Sequence, residues 1–191
     1  MNMDTIYSRE DKLYKQHGGI APYGIMVSHS WTEIGAVLEV VNKYKVDLFV
    51  EIGFHRGGLG TLLVPNCLYN FGFHYLGFDI DMEIAEPSFL EIVEQTLFAR
   101  FVFEDALSEL AIGIVSDALS KSLHPMIYCD GGDKPREFDI FSRMLPADGL
   151  VMVHDYPIEF REEHFENADW VERIEEDWLL QNRQLLFKRK I

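Results

Sequence analysis

The strongest constraint on this chain is an alternation. Between Val46 and Val153, short apolar runs trade places with stretches of helical periodicity, and five of the runs stop at or near an acidic residue. Val46-Asp47-Leu48-Phe49-Val50-Glu51-Ile52 is β-branched and aromatic, largely apolar on both faces, and ends at Gly53. A strand buried on both faces belongs in a parallel sheet. Further strands are predicted at Phe73 to Asp79, Phe101-Val102-Phe103, Met126-Ile127-Tyr128-Cys129 and Leu150-Val151-Met152-Val153. Parallel neighbours need crossovers, and these are right-handed. The pattern predicts an α/β fold: a Rossmann-like, doubly wound, mostly parallel sheet of about seven strands with helices on both faces.

The helices follow from caps and periodicity. Ser30-Trp31-Thr32-Glu33 has capping-box spacing, and Ile34, Val37, Leu38 and Val41 follow at helical intervals. Other helices are predicted over Leu59 to Tyr69, interrupted by Pro65, over Phe89 to Leu97, over Leu107 to Leu123, and from Pro135 to Leu145. Past Val153 the chain reads as polar, with Trp170 and Trp178 interspersed and a final apolar strand, Leu185-Leu186-Phe187.

Composition narrows the function. Seventeen Lys and Arg against thirty-two Asp and Glu leave a net charge of −15, with 48% apolar residues. That balance excludes a broad nucleic-acid or anionic-membrane surface, each of which needs clustered cations. The basic run Lys188, Arg189 and Lys190 reads as a solvated tail. The start, with Asp4, Arg9, Glu10, Asp11 and Lys12, lacks the apolar run of a signal peptide, and no stretch is long enough to span a bilayer. Cys67 and Cys129 are far apart, without metal-type spacing, and read as buried thiols. The expectation is one cytoplasmic domain over 1–191, with a cofactor-binding core at 46–156.

In open α/β sheets, ligands bind beyond the carboxyl ends of the strands. Those ends carry Glu51, Asp79, Asp105, Asp130 and Asp155. Each acid alone is an ordinary turn or N-cap residue. Together on one edge they crowd negative charge and call for ribose hydroxyls, amines, a sulfonium or a metal ion. The turn Gly53-Phe54-His55-Arg56-Gly57-Gly58 follows the first strand, with Gly53 leaving it tightly and Gly57 and Gly58 open to ligand approach. Its glycine spacing is neither the dinucleotide fingerprint nor a P-loop.

These segments resemble class I S-adenosylmethionine-dependent methyltransferases, in particular the group of macrocin O-methyltransferase and cephalosporin hydroxylase-like proteins. The resemblance rests on Val50-Glu51-Ile52-Gly53 with Gly57-Gly58, Gly77-Phe78-Asp79 and Glu104-Asp105-Ala106. It continues through Cys129-Asp130-Gly131-Gly132-Asp133-Lys134, Leu145-Pro146-Ala147-Asp148-Gly149 and Val153-His154-Asp155-Tyr156, so that it spans Asp47 to Tyr156. The motifs are individually loose, and their order and spacing carry the likeness.

The resemblance implies S-adenosyl-L-methionine as cofactor, with Glu51, Gly53, Gly57 and Gly58 by its methionine part. Asp79, or Asp81 if the strand ends later, would take the ribose hydroxyls, and Asp105 with Ala106 would face adenine. His55 and Arg56 read equally as contacts to the cofactor carboxylate or as surface residues. The implied reaction is O-methylation of a small, sugar-like acceptor. Asp130 and Asp155, with His154 beside them, form a candidate divalent-metal site: magnesium if oxygens complete the shell, a transition metal if His154 coordinates.

One departure stands out. Many relatives carry a histidine, a candidate base, three residues after the aspartate of the fourth strand. Here that residue is Asp133, followed by Lys134. Asp133, Lys134 and His154 are therefore the catalytic candidates, Lys134 on condition that its pKa is lowered. Tyr156, Trp170 and Trp178 read as packing or as an acceptor-pocket frame. Residues 1–29, with Gly18-Gly19 and Pro22-Tyr23-Gly24, or a neighbouring subunit of a homo-oligomer, would cover the acceptor cleft. Two other readings stay open. One is a binding module of the same fold without turnover. The other is a nicotinamide-dependent oxidoreductase, against which stand the glycine spacing and the lack of a Tyr-x-x-x-Lys pair.

Overall fold

Ser30 starts the first described helix by a reciprocal cap. Its Oγ accepts from Glu33 N at 3.2 Å, while Ser30 N donates to Glu33 Oε2 at 2.6 Å. Helix α1 then runs Trp31–Lys43 and buries Ile34, Val37, Val40 and Val41. This computed structural model describes residues 25, 27–65, 67 and 72–191. The possible cleft cover at Gly18-Gly19 and Pro22-Tyr23-Gly24, and the predicted helix end at Tyr69, lie outside the described residues.

The strands are β1 (Leu48–Ile52), β2 (His74–Asp79), β3 (Ala99–Phe103), β4 (Pro125–Cys129), β5 (Leu150–Val153), β6 (Val171–Ile174) and β7 (Leu185–Arg189). They form one sheet in the order β3-β2-β1-β4-β5-β7-β6. The first five are parallel, with Val50 opposite both Leu76 and Ile127, and β7 closes antiparallel on β5. The strand order reverses between β1 and β4, which opens the crevice where ligands bind in such sheets.

Helices cover both faces. Besides α1 they are α2 (Gly58–Leu63), α3 (Pro87–Glu94), α4 (Glu109–Leu119), α5 (Lys134–Met144) and α6 (Asp177–Gln181). Strand residues divide between the faces with period two. Phe49, Tyr75, Met126, Tyr128 and Met152 pack towards α1, α2 and α3, whereas Val50, Ile52, Leu76, Ile127, Cys129 and Val151 pack towards α4 and α5. This two-sided burial is why the runs read as near-continuous apolar stretches. Cys67 and Cys129 are buried free thiols, as their isolation predicts. Among the described residues no helix is long and apolar enough to cross a membrane.

Several boundaries differ from the sequence expectation. Helix α4 starts at Glu109 because Ser108 caps it, its Oγ accepting from Ala111 N at 3.2 Å. Leu107 lies ahead of that cap, in the turn closed by the Asp105 carboxylate. Strand β6 and the short α6 were not predicted, since Val-Glu-Arg-Ile shows no two-sided apolar run on an outer strand. Nor are the C-terminal cations a solvated tail. Lys188 and Arg189 lie in β7, where Lys188 pairs with Asp148 at 3.1 Å and Arg189 donates to Trp170 O at 2.8 Å.

Candidate active site

The site grows from the turn after β1. Gly53 has φ +82° and donates to Phe78 O at 2.9 Å. A Cβ there would stand 2.7 Å from Asp130 O, so only glycine lets the ends of β1 and β4 close together. Gly57, also in the left-handed region at φ +88°, has a different task. A Cβ on it would lie 2.0 Å from the Phe89 ring, and the residue lines neither cleft described below. Gly57 thus lets α2 pack closely on α3, while Gly58 lines a cleft.

Two clefts open at the carboxyl edge, and Gly53, His55 and Asp130 line both. The larger, about 550 Å³, is bounded by Phe78, Asp79, Ile80, Asp105, Ala106 and the Gly131–Asp133 turn. Asp79 accepts from His55 N at 2.7 Å through Oδ2 and from Asp81 N at 3.2 Å through Oδ1, which leaves each oxygen a lone pair for a hydroxyl. Asp105 accepts from Leu107 N at 2.9 Å. Both acids therefore close turns and also face the cleft. Asp81, the alternative to Asp79, accepts from Glu83 N and does not line this cleft.

The smaller cleft, about 290 Å³, is dominated by charge. His29, Glu51, Arg56, Asp130, Lys134, His154, Asp155, Glu159 and Arg183 line it. His154 is 3% exposed. Its Nδ1 lies 3.2 Å from Asp130 and 3.3 Å from Asp155, and its Nε2 lies 3.4 Å from Glu33 Oε1. These are charge contacts without hydrogen-bond alignment. Burial disfavours the imidazolium, but the three carboxylates outweigh it and push the pKa up to about 11. Asp130 is held well below the carboxylate range: His29 and His154 more than offset the cost of its burial. His154 contacts, with Lys134 and Arg183 in support, bring Asp155 down to about 2 against partial burial. The repulsion expected between Asp130 and Asp155 is relieved by the protein's own cations.

Lys134 departs from what a base needs. Its Nζ donates to Glu159 at 2.7 Å and to Gly131 O at 3.0 Å, and lies 3.4 Å from Asp155 and 3.7 Å from Asp130. Burial lowers its pKa, yet the Glu159 hydrogen bond and the surrounding carboxylates raise it above its ordinary value. It is a fixed ammonium. Asp133 caps α5, accepting from Arg136 N at 3.3 Å, and lines the larger cleft only. It does not meet Lys134 or His154 across the smaller one.

Glu51 is 1% exposed and accepts from the Tyr75 hydroxyl at 2.6 Å. Desolvation, reinforced by Asp130 and Asp79, lifts its pKa to about 8 despite that hydrogen bond. Arg56 pairs with Glu86 at 2.9 Å beside the smaller cleft. The aromatics expected either to pack or to frame the acceptor do not line this cleft. Trp170 donates to Ser142 and lies under the Arg143 guanidinium, and Trp178 donates to Glu176. Tyr156 packs against the apolar layer beneath α5.

Four contributors escaped the sequence reading: His29, Glu33, Glu159 and Arg183. Glu33 was visible as the capping-box acid, but only one of its oxygens caps; Oε1 turns to His154 and lies 3.2 Å from Arg183. Arg183 also reaches Asp155 at 3.2 Å. His55, Asp155 and Arg183 all adopt positive φ, so unusual backbone gathers at the cleft. No local pattern in the sequence marks His29, Glu159 or Arg183 as neighbours.

The strand order β3-β2-β1-β4-β5-β7-β6, with its reversal between β1 and β4, is a fold shared with solved methyltransferase structures. A Staphylococcus aureus protein provisionally assigned as a caffeoyl-CoA O-methyltransferase matches with TM-score 0.62 at 11% identity, over 97% of this chain and 92% of that one. CmcI with Mg and SAM matches with TM-score 0.64 at 14% identity, over 90% of this chain and 77% of the other. A methyltransferase from Geobacter sulfurreducens matches with TM-score 0.61 at 8% identity, over 100% and 92%. No protein-family model and no curated protein matches the chain.

Proposed function

We propose that the protein is an S-adenosylmethionine-dependent methyltransferase that methylates an oxygen of a small, sugar-like acceptor with the help of a divalent metal ion. The observation carrying this reading is the meeting of two unlike clefts at Gly53, His55 and Asp130. One has room for a nucleoside and offers carboxylate lone pairs; the other is small and highly charged. Transfer between two bound molecules needs such a junction, because it holds the reacting atoms in line.

When bound, the cofactor supplies a methyl group on a sulfonium. Transfer to an acceptor hydroxyl would give an ether and a neutral thioether and release one proton to water in the cleft, because Lys134 and His154 already hold theirs. Asp79 accepts from the ribose hydroxyls, and Ala106 provides apolar contact for the base. Gly53 keeps the passage between the clefts free of a side chain. Asp130 and His154, joined by His29, are the residues that would hold the metal. Both nitrogens of His154, and Nδ1 of His29, make no aligned hydrogen bond, which fits that task, and the ion would supply Lewis acidity towards the acceptor. Lys134, fixed as an ammonium, favours negative charge developing on the acceptor oxygen.

The same charge state favours a second reading, a binding module without turnover, since Lys134 and His154 both hold their protons near neutrality. Equilibrium binding of S-adenosylmethionine, S-adenosylhomocysteine and NAD, followed by methyl-transfer assays on hydroxylated acceptors, tests these readings. Tight binding of the two sulfur compounds and methyl transfer are expected. Preference for NAD would overturn the assignment, and cofactor binding without transfer would favour the module.

A further inference from the structure

Two imidazoles flank one carboxylate at the base of the smaller cleft. His29, Asp130 and His154 each offer a ligand atom, all within 4.8 Å of one another. His29 Nε2 lies 3.0 Å from Asp130 Oδ2, and His154 Nδ1 lies 3.2 Å from Asp130 Oδ1. The two rings meet edge-on with centroids 4.6 Å apart.

Hydrogen bonding does not account for this arrangement. Buried ring nitrogens ordinarily have partners. Here both nitrogens of His154 and Nδ1 of His29 make no aligned hydrogen bond, His154 having only charge contacts to Asp130, Asp155 and Glu33, although the residues are 3% and 6% exposed. His154 Nδ1 and His29 Nε2, the latter also 3.1 Å from the Tyr128 hydroxyl, face the two oxygens of Asp130 at 3.2 and 3.0 Å instead.

Charge points the same way. Glu33, Asp130, Asp155 and Glu159 surround the imidazoles, and the fixed cations among them are Lys134 and Arg183. Metal binding would displace the His154 proton, and four carboxylates against Lys134 and Arg183 would then leave two negative charges for a divalent ion to balance. An outer partner is also in place. Glu33 Oε1 lies 3.4 Å from His154 Nε2, on the other side of the ring from Asp130. A carboxylate behind a metal-bound histidine orients the ring and raises its basicity.

We propose that His29, Asp130 and His154 form a transition-metal site whose two imidazoles select a borderline divalent ion such as zinc over magnesium. The proposal deepens the metal-assisted reading above by naming the metal class and a third ligand. Magnesium takes oxygen ligands and keeps much of its water, whereas imidazole nitrogen suits zinc and its neighbours. Asp155, a metal ligand in the sequence reading, stands outside this donor set: Arg183 and Lys134 hold its two oxygens.

The test is calorimetric titration of the full chain, stripped with chelator and free of cofactor, with zinc and separately with magnesium. Zinc should bind at least about 100-fold more tightly. His29→Ala and the bulkier His29→Gln should each weaken zinc by at least about tenfold, the lower bound for losing even an outer-shell partner. Their circular dichroism spectra should stay those of the wild type. Equal or tighter magnesium binding, zinc affinity unchanged in both folded variants, or no binding of either ion would each overturn the proposal. S-adenosylhomocysteine binding is measured separately. If zinc behaves as stated while that compound fails to bind, the metal site stands and the methyltransferase reading falls.

Discussion

Replacing Glu51 with glutamine should make the protein more stable at high pH and leave it nearly unchanged at low pH. Burial, with Asp130 and Asp79 nearby, raises this carboxyl from its ordinary 4.5 to about 8. Below 4.5 both folded and unfolded chains hold the proton. Between 4.5 and about 8 the folded chain keeps a proton that the unfolded chain has released, so this residue's contribution falls as pH rises. Above 8 both forms have released it and the fall stops. At about 1.36 kcal/mol per pH unit the interval is worth roughly 5 kcal/mol. Glu51 adjoins a cleft that water enters, and screening should cut the measured effect to ~2–3 kcal/mol. Glutamine keeps the oxygen that accepts from Tyr75 and cannot ionise. Urea unfolding of both proteins at pH 5, 7 and 9 reads the difference directly. It should grow from near zero at pH 5 to ~2–3 kcal/mol in favour of Gln at pH 9. A difference constant across that range would mean that Glu51 is ionised in the folded protein, and the desolvation argument would fail.

Three other substitutions probe the clefts and their scaffold. Asp79→Ala should weaken S-adenosylhomocysteine binding by about 1–3 kcal/mol, the cost of unpaired polar groups; unchanged affinity in a folded variant would remove Asp79 from the cofactor site. Lys134→Ala should destabilise the fold by ~3–5 kcal/mol, because it strips a buried cation from three carboxylates. A variant that keeps full stability and loses only turnover would restore Lys134 as a base. Gly57→Ala should cost ~2–4 kcal/mol, combining left-handed backbone strain with overpacking against Phe89. Adding Phe89→Leu should recover part of that loss in thermal unfolding, and no recovery would place the strain elsewhere.

The architecture was legible in the sequence because each crossover unit writes its own signal locally. Two-sided burial made β1, β4 and β5 continuous apolar runs, and Ser30 with Glu33 announced α1 through a bond spanning only three residues. Strand ends at Glu51, Asp79 and Asp130 were readable for the same reason, since a parallel sheet puts successive carboxyl ends on one edge. Strand β6 was not, because an outer strand carries no two-sided run. The charge state of the site was decided only by tertiary structure. Lys134 looked like a base while its surroundings were unknown; three carboxylates drawn from the segments just past β4 and β5 make it a fixed cation. His29 is 101 residues from Asp130 along the chain, yet the two touch at 3.0 Å once α1 packs beside the sheet. A strand or a cap depends on neighbours in sequence, whereas a pKa or a ligand set depends on whichever charges folding brings within a few ångströms.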